Sequence, residues 1–282
     1  MTATHPPAST PTTTPSSLVP APAGPPTWGT TISTVAVRSG FKLLRTPQVA
    51  GIAVVQSLVF LFMFRYVIGG AIGVPGVSYV DFLVPGFVVA GMLFTAGSGA
   101  VGTAEDAESG LFDRLRSLPI HDTATLAGRT VAEAALSVVV ALITLAVGFL
   151  VGFRLGGSLA GLAAAVGLLV VYALAIAAVF LVLGLVSGSA QAAQGLSILA
   201  VPFSFISSAF VPVSTMPGWL QWFADWQPLT FMVNAWRGLL VGEEALAGYA
   251  HGVGFYAVGS LVWCVVIGVL GLAFSLRAYR KE

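Results

Sequence analysis

Charge is what this chain has least of. Asp, Glu, Lys and Arg make up only 8 % of the 282 residues, and the formal net charge is +1. That balance excludes the basic surface a nucleic-acid partner needs, so no nucleic acid is expected. There is one cysteine, Cys264, inside an apolar run, which rules out a disulfide framework and leaves no cysteine-based metal site. The histidines are His5, His121 and His251, with no HExxH among them, and no metal site is expected. The only lysines, Lys42 and Lys281, follow no glycine-rich loop, so the chain carries no P-loop and no nucleotide site of its own. Hydrophobic residues, by contrast, make up 57 %, with a mean hydropathy of +0.94. A soluble domain with that much apolar surface would aggregate, and a polytopic membrane protein is the expected class.

The sparse charge is also unevenly placed. Five of the eleven acids (Glu105, Asp106, Glu108, Asp113 and Asp122) fall in one stretch with Arg114 and Arg116, and apolar runs flank it on both sides. A charge costs several kcal/mol in hydrocarbon, so this segment marks water and a place where a partner outside the membrane could take hold. Residues 1–27 form a tail of different character, rich in Pro and Thr, with half of the sixteen prolines and no apolar periodicity. It is expected to be disordered, and it lacks the basic start and apolar core of a secretory signal.

Residues 28–282 read as one transmembrane domain with six spans, at about 50–68, 82–102, 131–153, 159–186, 196–211 and 253–274. Ahead of the first, Thr31 to Arg45 places Phe41 and Leu44 on one helical face and Arg38, Lys42 and Arg45 on the neighbouring one. That is the pattern of a helix lying against lipid headgroups, although an ordinary basic flank of the first span reads the same way. With both termini on one side, nine basic residues lie on that side and three (Arg65, Arg154 and Arg237) on the other, which orients both termini to the cytoplasm.

Between spans five and six, Trp219, Trp222, Trp226 and Trp236 lie in a stretch interrupted by Pro212, Pro217 and Pro228. Short helices dipping into the outer leaflet, anchored by an aromatic belt, are expected there. Arg237 stands alone in an amphipathic stretch, with Asp225 or Glu243 as its expected partner, either as a structural pair or as part of a gate. Gly148 with Gly152, and Gly184 with Gly188, have the spacing that permits close helix contact. The spans hold a single acid, Glu133, four residues after Arg129, and an i,i+4 pair accounts for it. Proton or sodium coupling needs carboxylates near the midplane, so an ion-coupled or passive transporter working without an ATPase is the second reading. A membrane enzyme would need an acidic or histidine cluster at one interface; only Glu105, Asp106 and Glu108 approach one, without a partner histidine.

Two segments carry a resemblance. The first is Glu108-Ser-Gly-Leu-Phe-Asp-Arg-Leu-Arg-Ser-Leu-Pro-Ile120, followed by Leu126-Ala-Gly-Arg129. The second comprises Ser207-Ser208, Phe210, Pro212, Met216-Pro217, Trp219-Leu220, Pro228-Leu229-Thr230 and Arg237-Gly238. Together they resemble the type-2 ABC exporter permeases of the daunorubicin/doxorubicin-resistance group, with Gln227 standing where many members have Asn. The resemblance implies an all-α polytopic fold of six transmembrane helices, with an N-terminal interfacial helix and an external helical hairpin between spans five and six.

It also implies a non-enzymatic permease in the cytoplasmic membrane that moves a hydrophobic or amphipathic drug or lipid. Its partners would be an ABC ATPase subunit, a second permease chain and membrane lipid, with ATP and Mg held by the ATPase and no cofactor in this chain. On this reading Ser109, Gly110, Leu111, Phe112, Asp113, Arg114, Leu115, Arg116, Ser117 and Leu118 form the ATPase-coupling segment, with Leu111, Phe112 and Leu115 as an apolar docking ridge and Pro119 ending the helix. The alternative for this segment is a solvated loop with a few helical turns. Pro217, Trp219, Pro228 and Arg237 would belong to the external gate hairpin.

Overall fold

The structure is a computed structural model that describes Gly29 and residues 47–69, 73–74, 76–116 and 122–279. The disordered-tail expectation for 1–27, and the interfacial helix with Arg38, Phe41, Lys42, Leu44 and Arg45, lie outside the described residues. Within them the regular structure is helical. Helix α1 spans Pro47–Met63 and continues through a π-helical turn, Phe64–Ile68. Then come α2 (Tyr79–Glu108), α3 (Leu111–Arg116), α4 (Asp122–Leu150) and α5 (Leu159–Val186). The chain continues through α6 (Ala190–Ser197), α7 (Ala200–Phe205), α8 (Gly218–Trp226), α9 (Pro228–Val241) and α10 (Val253–Tyr279).

The helix starts follow from local chemistry. Ser78 caps α2 by accepting the Asp81 N–H at 3.2 Å, Ser158 caps α5 by accepting the Gly161 N–H at 3.0 Å, and Ser189 caps α6 by accepting the Ala192 N–H at 3.1 Å. Proline occupies the first position of α1 and of α9, where its missing N–H costs nothing.

Four of these helices (α2, α4, α5 and α10) are long and apolar enough to cross a membrane. They contain the expected spans 82–102, 159–186 and 253–274 and most of 131–153. The chain is a multi-pass membrane protein. Two expectations change. Where the stretch 105–122 is described, at 105–116 and 122, it is mostly helix rather than loop, because charge bars a segment from hydrocarbon but does not end a helix. At 30 residues α2 is about 45 Å long, which carries Glu105, Asp106 and Glu108 past a hydrocarbon core of roughly 30 Å.

The expected fifth span, 196–211, is not one helix. Pro202 cannot donate to the Ile198 carbonyl, which takes the Val201 N–H at 2.9 Å instead, so α6 and α7 are separated by a tight turn. From Ile206 to Met216 the chain runs in turns.

The bundle is arranged around α2, which packs against α4, α5, α6 and α9. Of its most apolar eighteen-residue stretch, 83 % is buried, against 17 % for α10, which lies on α5 and α9 at the outside. Val258, Leu261, Val262, Val265 and Val269 of α10 form an exposed apolar stripe of the kind lipid covers.

Small residues let the helices approach α2. A Cβ on Gly184 of α5 would lie 2.5 Å from the Ala100 carbonyl oxygen, and one on Gly86 of α2 would collide with the Ala209 carbonyl. The two glycine pairs divide their labour: Gly148 and Gly184 are contact points, whereas Gly152 (φ 107°) and Gly188 (φ 71°) are left-handed residues just past the ends of α4 and α5.

Gly184→Leu forces α5 off α2 and is expected to cost about 1–3 kcal/mol by overpacking. Gly167→Leu, on the open side of the same helix, is the control. Thermal unfolding in detergent checks this, and equal midpoints for the two variants would refute it.

Candidate functional site

Two polar centres stand at opposite ends of α2. The first surrounds α3. Helix α2 closes with the Ser109 N–H on the Glu105 carbonyl (3.0 Å) and the Gly110 N–H on the Ala107 carbonyl (3.0 Å), and Gly110 at φ 67° turns the chain into α3. Phe112 points inward. It is 4 % exposed and packs with Leu126 of α4, Leu181 and Leu185 of α5, and Leu276 and Ala278 of α10. Ser109 and Arg114 are exposed and Leu111 is half-buried. Ser117, Leu118 and Pro119 lie outside the described residues, as do the side chains of Asp113, Leu115 and Arg116.

The expected docking ridge is therefore split at Phe112, whose ring anchors α3 to its own bundle. Glu108 faces α6, its Oε1 accepting the Ala190 N–H at 3.1 Å at that helix's start.

Behind α3, Arg129 of α4 reaches across to α2. Its Nε donates to Thr103 Oγ1 at 2.9 Å and its Nη1 bonds the Asp106 carboxylate. The expected i,i+4 partner, Glu133, is the looser one, at 3.8 Å from Nη2. The side chains of Arg129 and Asp106 are each 11 % exposed, so this ion pair is largely withdrawn from water.

The second centre lies at the other end of α2, where α9 meets the turn after α7. Arg237 is completely buried. Its Nε donates to the Phe82 carbonyl (3.1 Å), Nη1 to Asn234 Oδ1 (2.9 Å) and Nη2 to the Ser208 carbonyl (2.8 Å), and the guanidinium lies 3.7 Å from the centre of the Phe82 ring. Ser208 completes the knot: its Oγ donates to Asn234 Oδ1 at 2.9 Å and its N–H to Thr230 Oγ1 at 3.2 Å. Arg237 pairs with neither Asp225 nor Glu243. Instead, both Glu243 carboxylate oxygens accept the Val253 N–H at the start of α10. Carbonyls and an aromatic face replace a carboxylate because α9 presents Arg237 to the core, while Asp225 and Glu243 lie on exposed segments.

The prolines start the pieces of the hairpin, Pro217 as the cap of α8 and Pro228 as the first residue of α9. Trp219, Trp222 and Trp226 are exposed on α8, as an aromatic belt requires. Trp236 is the exception among the four: it is fully buried and its Nε1 donates to the Ala165 carbonyl at 2.8 Å. Gln227 is buried and its amide bonds the Ile206 carbonyl, tying the hairpin to the turn below it. Beneath α8 an open cavity of about 390 Å³ is lined by Trp226, Phe231, Phe255, Tyr256, His251 and Asp225, among others.

Residues 30–241 match the ABC-2 type transporter family. The chain belongs to that family. It is similar to the daunorubicin resistance ABC transporter permease protein of Streptomyces coeruleorubidus, at 30 % identity over 232 residues, covering 81 % of this chain and 78 % of the relative. It is also similar to the "Probable doxorubicin resistance ABC transporter permease protein" of Mycobacterium tuberculosis, at 28 % identity over 234 residues, covering 81 % of this chain and 80 % of the relative. The protein is the permease subunit of an ABC exporter. Both polar centres of the permease fall inside the matched residues.

Sequence reasoning on the permease singled out Arg237 and the α3 segment but did not pair Arg129 with Thr103 and Asp106, or Arg237 with Ser208 and Asn234. One local signal was available: Asn234 sits three residues before Arg237, one helical turn away. Asp106 is 23 residues from Arg129, and only the fold brings them together.

Replacing Arg237 with Ala removes the side-chain donor to the Phe82 and Ser208 carbonyls and leaves Asn234 Oδ1 with Ser208 Oγ alone, at about 1–3 kcal/mol for each buried acceptor left unsatisfied. Arg237→Lys recovers only part of the loss, because an ammonium cannot reproduce the planar fork or the stack on Phe82. Unfolding in detergent should rank wild type above Lys above Ala, and an Ala variant as stable as wild type would contradict the arrangement. Phe112→Ala is expected to destabilise the permease by about 3–5 kcal/mol, while Leu111→Ala does much less; equal losses in the same assay would place Phe112 outside the core.

Proposed function

We propose that this permease pairs with a second permease chain and with separate ABC ATPase subunits, which hold ATP and Mg, and exports a hydrophobic or amphipathic compound across the cytoplasmic membrane. The observation that carries this reading is α3: a short helix at the tip of the α2–α4 hairpin, with its aromatic ring sunk into the bundle and Ser109 and Arg114 turned out. An element anchored inward by Phe112 and exposed to water at Arg114 is suited to receive a push from a docked partner. The segment from Ser109 to Leu118 is its coupling surface, with Leu111 and Arg114 as the outward contacts and Phe112 as the inward anchor.

The excess of Arg and Lys at the α3 end and the chain termini supports a cytoplasmic position for both termini and for α3. Six crossings then require α1 and the α6–α7 stretch to serve as the first and fifth spans, with α8 and α9 as the external hairpin. Pro217, Trp219, Pro228 and Arg237 shape its mouth: Trp219 rests at the headgroups, and Arg237 holds α9 against α2. The relatives' drug-resistance names, the near absence of charge in the spans and the aromatic cavity under α8 all favour an amphipathic cargo over a sugar or an ion.

Co-expression with the ABC ATPase subunits of the same genome, followed by purification through a C-terminal tag on the permease, tests the reading. One ATPase should co-purify in stoichiometric amount and be lost on Leu111→Asp, which leaves the thermal midpoint of the permease in place. If no ATPase is retained by the wild-type permease, the motor-driven reading fails.

A further inference from the structure

We infer that Arg129 is a positioning residue for energy transmission: by locking α2 to α4 directly behind α3, it makes a displacement of α3 move the bundle as one body. This rests on the proposed role of α3 as the coupling helix. The face of α2 that receives Arg129 is built for it. Gly99, Gly102, Thr103 and Asp106 follow one another at helical spacing on a single face. A Cβ on Gly99 would lie 2.7 Å from Glu133 Oε2, and one on Gly102 would lie 3.4 Å from Arg129 Nη2. Gly99 thus makes room for Glu133, and Gly102 lies in ordinary contact with Arg129, so the side chains from α4 lie close along α2. The Thr103 hydroxyl donates to the Gly99 carbonyl at 2.8 Å, which aims its lone pairs at Arg129 Nε. Each edge of the guanidinium is engaged, by Thr103, by Asp106 and by Glu133.

The void remaining among these groups is about 10 Å³, at the lower limit for a single water, so little can lubricate the contact. The clamp closes the loop of 23 residues that contains α3. Without it, the ends of α2 and α4 would keep only their apolar packing and the chain through α3 to hold them together here, and a pull on α3 would be spent in parting them. The clamp also reaches α5, because a Cβ on Gly184 would meet Thr103 Cβ at 2.6 Å and the Ala100 carbonyl at 2.5 Å. Phe112 attaches α3 itself to α4, α5 and α10. The stroke therefore has a stiff path from α3 into α2, α4 and α5, and along α2 to the Arg237 knot beneath the hairpin.

The test uses the full permease–ATPase complex in liposomes. A single thiol is placed on the hairpin by Gly218→Cys, an exposed position with open space around it, in a Cys264→Ser background, and is labelled with an environment-sensitive dye. The wild-type complex should hydrolyse ATP and shift the dye emission on ATP binding. Arg129→Ala should still hydrolyse ATP at the wild-type rate per complex while the shift falls at least about five-fold, the low end of ordinary coupling between sites. Arg129→Lys should fall between them, since lysine cannot hold Thr103 and Asp106 together.

A full shift in a folded Arg129→Ala complex overturns the inference. If that variant does not assemble, Asp106→Asn, which keeps the shape of the socket, decides: a reduced shift with hydrolysis intact supports the clamp, and a full shift overturns it. Equal losses of hydrolysis and shift per complex would make Arg129 merely structural. A wild-type complex that binds no ATPase, or gives no shift, fails at the permease reading itself, which separates the two failures.

Discussion

A polar group in a lipid-covered chain must find its partner within the chain, and the placement of the two polar centres follows from that constraint. The permease has few charges to place, and it buries two guanidinium groups at opposite ends of α2. Each is answered mainly by groups on other elements: Arg129 by Thr103 and Asp106 of α2, Arg237 by the backbone of α2 and of the turn after α7. Neither arginine could be left in place without those partners, because an unpaired buried charge costs far more than the contact supplies. The polar groups thereby dictate how α4 and α9 seat on α2, and the apolar packing fills in around them.

The choice of α2 as the centre has a second cause. A helix surrounded by α4, α5, α6 and α9 must let backbones come close, and glycine and alanine along its length permit this. Small residues also make room for the side chains from α4 at Gly99 and, on another face, for the turn at Ala209 against Gly86. Close packing and polar recognition therefore share one helix, and that helix runs from α3 at one end to the Arg237 knot at the other. A rigid rod fixed at both ends by buried bonds moves as a unit, which is what transmitting a stroke across a membrane demands.

Much of this could be read from residues alone. Hydropathy located α2, α4, α5 and α10, since a span needs only length and apolar composition. At 196–211 it marked the apolar stretch but not the break that Pro202 makes in the helical ladder. The spacing of Leu111, Phe112 and Leu115 revealed an apolar ridge on α3 but not which body it would meet, and the ring of Phe112 turned out to face its own bundle. Tryptophan content anticipated exposed rings, which holds for Trp219, Trp222 and Trp226 and not for Trp236, because an aromatic on a surface and one in a core look the same in a sequence.

The sequence by itself determined the membrane class, the long apolar helices, the charged segment at the α3 end and the family, because each depends on composition or on residues within a few positions of one another. Only the tertiary structure decided the partners of Arg129 and Arg237, the inward turn of Phe112 and the central place of α2. Those depend on pairings across tens of residues to more than a hundred, such as Arg237 with the Phe82 carbonyl 155 positions away. No local pattern encodes such a pairing; it exists only once the helices have packed.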